Sequence, residues 1–199
     1  MKLVTCVHHK AKPQIGVLSD NDQSVILLQR AVELLEGAPC PFFNDMLSFL
    51  KGGGSARTRA WDVVTYVANR KPAHTALPLT EVQLLAPLPQ PESIRVVPTN
   101  EQEMIHTTRQ QSLKSLARFD TWLEKTFGRE RSFAYRLNKI WYQQPRYYKA
   151  NRFAVVGADQ PIIIPSHTQH FDYEIGIGIF IGKSGKDIPI EDALNHIGG

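Results

Sequence analysis

The sequence predicts an α+β fold from three observations. Strand-like runs open and close the chain, helical periodicity fills the stretches between them, and prolines punctuate residues 77–92 where the two halves meet. At the start, residues 2–7 and 14–18 read as two short strands around a Lys12-Pro13 turn, and Asn21-Asp22 opens another turn before residues 24–28. This gives a small β-containing N-terminal domain.

Helical spacing follows. Apolar residues recur every three to four positions from 27 to 35, and Gly37-Ala38-Pro39 stops them. Asn44 can cap a short helix that points Met46, Leu47, Phe49 and Leu50 at a core. Gly52-Gly53-Gly54 comes after this helix and lacks the Gly-Lys-Ser/Thr ending of a phosphate-cradling loop, so it reads as a helix stop. Trp61, Val64, Val67 and Ala68 then predict a third helix over residues 56–69.

Pro78, Pro87, Pro89 and Pro91 remove backbone donors and bias their neighbours toward extended geometry, which predicts a connector at residues 77–92. The domain boundary is placed there, giving residues 1–86 and 87–199. Beyond it, residues 100–127 read as one long helix with Leu113, Leu116, Trp122, Leu123 and Phe127 on an apolar side, charges facing solvent, and Gly128 as the stop. Residues 153–156, 162–164 and 173–181 read as strands. In the last of these, isoleucines alternate with mostly small residues, so one face is apolar and the other admits close approach. Asp187 then caps a short helix with Pro189 in its first turn and Ala193, Leu194 and Ile197 on its buried side.

Composition narrows the function classes. With 42% hydrophobic and 21% charged residues, the 199-residue chain can bury an ordinary globular core. Its longest apolar runs are far short of the ~20 residues a membrane helix needs, and its first residues show no signal-peptide pattern, so a cytoplasmic location is expected and a membrane partner is not. Cys6 and Cys40 are too few for a disulfide framework and read as reduced, buried thiols. The net charge is +4 with Lys and Arg spread along the chain, their best cluster being Arg129, Arg131, Arg136, Lys139, Arg146, Lys149 and Arg152, among Tyr135, Trp141, Tyr142, Tyr147 and Tyr148. Such a mixture can hold nucleic acid by phosphate contact and stacking, but no nucleic-acid motif accompanies it. It reads as a solvated face beside a core or pocket, and nucleic acid is not an expected partner.

The order of Pro87-Leu88-Pro89-Gln90-Pro91 with Ser93-Ile94-Arg95, then Trp141 to Tyr148, then Asp172-Tyr173-Glu174, then Ile181-Gly182-Lys183 and Gly185-Lys186-Asp187-Ile188-Pro189 resembles the fumarylacetoacetate hydrolase family. The most specific part is D-Y-E-I-G-I-G-I-F-I-G-K with G-K-D-I-P-I-E-D-A-L-N-H-I-G-G. The resemblance implies a C-terminal, mainly β roll with a mixed sheet, of which residues 87–199 supply an incomplete copy. It also implies a homodimer or a heteromer with a paralogue of the family, and a Mg²⁺ or Ca²⁺ held by carboxylates. That ion would act on a small 2-oxo or diketo acid, cleaving a carbon–carbon bond or removing carbon dioxide. A hard cation that polarises carbonyl and enolate oxygens suits this chemistry.

Carried over residue by residue, Glu174 matches the first acid of the family's E-x-E strand, and Gly176 stands in place of the second. Val96 stands where relatives have a liganding Asp, and Glu103 stands where they have the His base. The resemblance puts the fourth carboxylate beyond residue 199, together with strands expected to cover residues 173–181. Without them, that run is expected to expose apolar surface and unpaired edge groups for a partner chain, a second copy or further sequence to cover. Arg95 and Tyr148 match substrate-contacting positions. No metal is expected to bind the isolated chain, because a hard ion gives up hydration only for several well-placed oxygens. The resulting expectation is a family member without activity of its own, serving as a ligand-binding or partner subunit. The alternative is a metal-dependent hydrolase or decarboxylase that a partner or a longer chain completes.

Two other groupings carry candidate chemistry. Glu103 and His106, three apart and near Glu101, share a helix face and form a conceivable acid–base pair, with a solvated surface pair as the plainer reading. His167 and His170 have zinc-compatible spacing but no third ligand nearby in sequence, and read as a polar loop.

Overall fold

The computed structural model describes residues 1–9, 11–136, 139–169 and 171–199, without the side chains of Gln111, Tyr135, Arg136 and Lys139. Helices and strands are mixed around a curled antiparallel sheet, in keeping with the α+β class. The chain divides into two units, Met1–Gln90 with Ala154–Gly199, and Pro91–Phe153.

The first unit is built on β1 (Leu3–His8), β2 (Gln14–Leu18) and β3 (Ser24–Leu27), paired antiparallel with Leu3 opposite Val17 and Val17 opposite Ile26. The expected connector contributes two more strands, β4 (Ala76–Pro78) and β5 (Val82–Leu84), in the order β4-β3-β2-β1-β5. Its prolines do not prevent this, because β4 and β5 are the edges and Pro78 ends its strand, where a missing N–H costs no interior ladder bond. The 3₁₀ turn Leu79–Glu81 joins these two edges directly, so the sheet must curl.

The two-residue period sends Ile15, Val17 and Ile26 to one face, against Leu28, Phe43, Phe49 and Val63, and Cys6, Val25, Leu27 and Leu77 to the other. The helices covering the first face are α1 (Leu28–Glu36) and α2 (Met46–Arg70). Gly37 closes α1 in the left-handed region, with φ 76° and its N–H on Glu33 O at 2.8 Å. Asp45, rather than Asn44, caps α2 by accepting from Ser48 N at 2.7 Å, because Asn44 is already helical at the end of the 3₁₀ turn Pro41–Phe43. The glycine triplet interrupts this stretch as expected: Gly53 is non-helical (φ 54°, ψ −127°), so α2 is two helical segments meeting at a kink, and the patterns on both sides bury Phe49, Leu50, Ala56 and Ala60 in one core.

The strands expected at residues 153–156, 162–164 and 173–181 do not form. Residues 152–154 make a 3₁₀ turn, and 173–181 run without a ladder partner apart from the bridge of Ile181 to Ile197. A strand pattern becomes a strand only when a neighbour takes its hydrogen bonds, and here only the end of the run is met, Phe180 exchanging bonds with Gly198 and Gly199 at 2.7 Å. Ile175 and Ile177 are in consequence 93% and 94% exposed. The helix expected after Asp187 is a 3₁₀ run, Ile190–His196, preceded by Pro189, and Leu194 lies outside rather than buried.

In the second unit, β6 (Ile94–Val96) and β7 (Tyr148–Ala150) pair antiparallel beside α3 (Glu101–Gln111), α4 (Lys114–Phe127), α5 (Phe133–Arg136) and α6 (Lys139–Gln143). The long helix expected at 100–127 is therefore two. At the break, the Ser112 hydroxyl donates back to Thr108 O at 2.8 Å and its backbone turns extended (φ −81°, ψ 156°). Leu113, Leu116, Trp122 and Phe127 are exposed, with Trp122 packed between Phe119 and Phe127 at ring separations of 5.8 Å. No helix among the described residues is long and apolar enough to cross a membrane.

Candidate functional site

The candidate residues fall in different units, Glu174 in the first and Arg95, Glu103 and Tyr148 in the second. Glu174 lies exposed on the extended run 173–181. Asp172, two residues earlier, is occupied locally, its Oδ1 accepting from Tyr173 N at 2.8 Å. The spacing of two that could set a second carboxylate beside Glu174 on its C-terminal side meets Gly176.

For a hard divalent cation the donor set does not fit. Such an ion needs several oxygens converging at about 2–2.6 Å, and among the described residues no group of three or more His, Cys, Asp or Glu side chains is placed to hold a metal ion. Val96, expected from the resemblance to stand at a ligand position, has no donor atom on its side chain, and its main chain is engaged in β6.

The β6–β7 ribbon puts Arg95 and Tyr148 on neighbouring strands but on opposite faces. Arg95 is opposite Lys149, and Val96 is opposite Tyr148. Residues paired across an antiparallel ladder share a face, and successive residues alternate. Arg95 therefore keeps company with Lys149 and stacks its guanidinium 5.6 Å from the Tyr147 ring centre, while Tyr148 stands with Val96. One side is cationic and aromatic, the other aromatic and apolar, and both are open to solvent.

Glu103 sits exposed in the first turn of α3, where Asn100 Oδ1 caps the helix by accepting from Gln102 N and Glu103 N at 3.1 and 3.3 Å. His106 faces its own helix, with Nε2 2.8 Å from Gln110 Nε2. Glu101 accepts the Tyr142 hydroxyl. Glu103 and His106 share a helix but are not a hydrogen-bonded pair. His167 lies exposed in the turn closed by Thr168 N on Pro165 O, and His170 lies outside the described residues. In the basic cluster, Arg152 is tied to Pro91 O at 3.0 Å and packs 4.6 Å from the Phe153 ring centre, while the side chains of Tyr135, Arg136 and Lys139 lie outside the described residues.

Sequence reasoning missed a fully enclosed acid of the second unit. Asp120 is wholly buried. It accepts from Arg109 Nε at 3.0 Å, Ser132 Oγ at 2.9 Å and Phe133 N at 2.6 Å. Arg109 also holds Glu124. Partial burial pulls the Arg109 guanidinium down, but its hydrogen bonds to Glu124 and then Asp120, with their charges, hold it above its ordinary value. The signal was present: Asp120 lies four residues after Leu116 and three before Leu123, an acid on the apolar stripe.

The family model described as Fumarylacetoacetate (FAA) hydrolase C-terminal matches residues 128–199. The bovine protein named oxaloacetate tautomerase FAHD2A, mitochondrial, is 26% identical over 191 residues, covering 96% of this chain and 48% of the relative. Oxaloacetate tautomerase fahd2, mitochondrial, of Xenopus laevis is 45% identical over 51 residues, 25% of this chain and 16% of the relative. The human protein named oxaloacetate tautomerase FAHD2A, mitochondrial, is 30% identical over 57 residues, 29% of this chain and 18% of the relative. Residues 128–199 are thus similar to the C-terminal domain of the fumarylacetoacetate hydrolase family, and the chain spans about half the length of its bovine relative.

Proposed function

We propose that this chain serves the family as a partner or ligand-binding subunit and is not, by itself, a metal-dependent enzyme. The observation that carries the reading is the run 173–181. It keeps Glu174, has Gly176 where a second acid would complete the family's pair, and turns Ile175, Ile177 and Ile179 out to solvent. A run with a strand's alternation, largely unpaired and with its isoleucines exposed, is a surface for a second chain. The partner is a paralogue of the family or a second copy, and the mainly β roll with a mixed sheet is the arrangement such pairing would complete.

The compartment is part of the same proposal. The cytoplasm is the default expectation from the sequence, while the relatives are named as mitochondrial, and fractionation of cells expressing the tagged natural gene product decides between them.

The test is co-expression with a full-length paralogue, followed by affinity capture and mass measurement. A stoichiometric complex, or a dimer of the chain alone, is expected, and Ile177→Glu should dissolve either. A chain that stays monomeric with and without the paralogue overturns the reading.

A second reading is favoured by the retained Glu174 and by relatives named as oxaloacetate tautomerases. In it, a partner supplies the missing carboxylates, and the substrate is a small 2-oxo or diketo acid. Turnover of oxaloacetate or an acylpyruvate by the complex, abolished by Glu174→Ala, would establish it. Turnover unchanged by that substitution would remove it.

A further inference from the structure

The bend of α2 at Gly53 brings its glycine triplet to the edge of a cleft of about 440 Å³ in the first unit. The opposite wall is the segment 182–184 with the chain near Asn195 and Gly198. The walls meet backbone to backbone: a Cβ on Gly182 would lie 3.0 Å from Gly198 Cα and 3.1 Å from Leu50 O. Gly182 N and Lys183 N both donate to His196 O, at 2.9 and 3.3 Å, and His196 Nδ1 lies 2.9 Å from Lys183 O, which fixes where Lys183 leaves the chain.

The side chains around this cleft have one sign. Lys51, Arg57 and Lys183 line it with the Ser184 hydroxyl and the Asn195 amide, and no acidic or aromatic residue does. Arg57 and Lys183 on facing sides of one concave space focus a positive field into it, which an anion relieves. A dianion gains more than a carboxylate does, and its several oxygens can take charge-assisted hydrogen bonds from Arg57 and Lys183 with neutral donors beside them. Without an aromatic wall, nothing in the cleft stacks on a base.

We infer that this cleft binds a small phosphomonoester, gripped by Arg57 and Lys183. The site uses neither Glu174 nor the exposed isoleucines, so it stands or falls separately from the subunit reading.

The probe is inorganic phosphate, titrated at low ionic strength into the full chain and followed by calorimetry and by amide shifts, with acetate as the carboxylate arm. Saturable phosphate binding is expected, with shifts confined to Gly53, Gly54 and residues 182–184, and tighter than acetate. Arg57→Ala and Lys183→Ala should each weaken it about tenfold, Arg57→Lys should restore most of the loss, and Lys114→Ala, a charge change in the other unit, should leave it unchanged. Arg57 and Lys183 are exposed, so their replacement leaves the fold in place, as circular dichroism will show. Absence of saturation up to about 50 mM, acetate binding as well as phosphate, or equal binding by the Arg57 and Lys183 variants overturns the inference.

Discussion

Arg109 Nε donates to Asp120 Oδ2 at 3.0 Å across the break between α3 and α4, and this contact joins the two helices through a carboxylate that no solvent reaches. Asp120 also receives Phe133 N at 2.6 Å, so one buried acid ties α3, α4 and the start of α5 together. Removing one partner of a buried pair leaves the other charge uncompensated and costs about 3–5 kcal/mol. Arg109→Ala is expected to lower the stability of the second unit by about that amount, and Arg109→Lys to recover only part of it, because a lysine cannot fork between Asp120 and Glu124. Urea unfolding followed by helix signal checks this, and an unchanged midpoint would contradict it. Because the Arg109 pKa is raised on folding, its contribution is fully present below the ordinary arginine value and is lost only as pH rises through the raised one.

Gly53 and Gly54 should respond oppositely to alanine. Gly53 has φ 54° and ψ −127°, a conformation that an L side chain strains to adopt, so Gly53→Ala is expected to destabilise by about 1–3 kcal/mol. Gly54 has open space around it within α2, and Gly54→Ala is expected to stabilise by roughly 0.5–1 kcal/mol. Thermal unfolding of both variants checks this, and equal effects at the two sites would contradict the bend.

Much of the first unit was legible in the sequence. The turn at Lys12-Pro13, the stop at Gly37 and the spacing of Leu28, Ala31 and Val32 are local signals, and the structure keeps them. What was not legible depended on distant partners. β4 and β5 are three residues each and become strands only because β3 and β1 offer edges, so Pro78 looked like a connector. The opposite error came at residues 173–181, where the pattern of a strand is clear and the described residues pair only with its end, at Phe180 and Ile181. Of the candidate site, Glu174, Arg95 and Tyr148 could be nominated from motif position, but the opposite faces of Arg95 and Tyr148 follow from the register of Arg95 with Lys149.

Cys6 is buried beneath the sheet, and burial pushes its thiol up from the ordinary value. A raised folded pKa means that the native state keeps its proton while the unfolded chain loses one. The contribution of Cys6 is therefore fully present below pH 9.0, the ordinary thiol value, and falls as pH rises from there through the folded pKa. Native protein is expected to leave Cys6 unmodified by a thiol reagent at pH 8, and Cys6→Ser, which cannot ionise in this range, should remove that part of the alkaline decline. Rapid labelling of Cys6 in the native state, found by peptide mapping, would contradict the burial.

Glu174, without a second acid at position 176, is expected not to hold a hard cation in this chain alone. Calorimetric titration of Mg²⁺ into the purified chain and into Glu174→Ala tests it most directly. The expected result is the same weak, unsaturated heat from both proteins. Saturable binding by the chain that disappears in Glu174→Ala would contradict it.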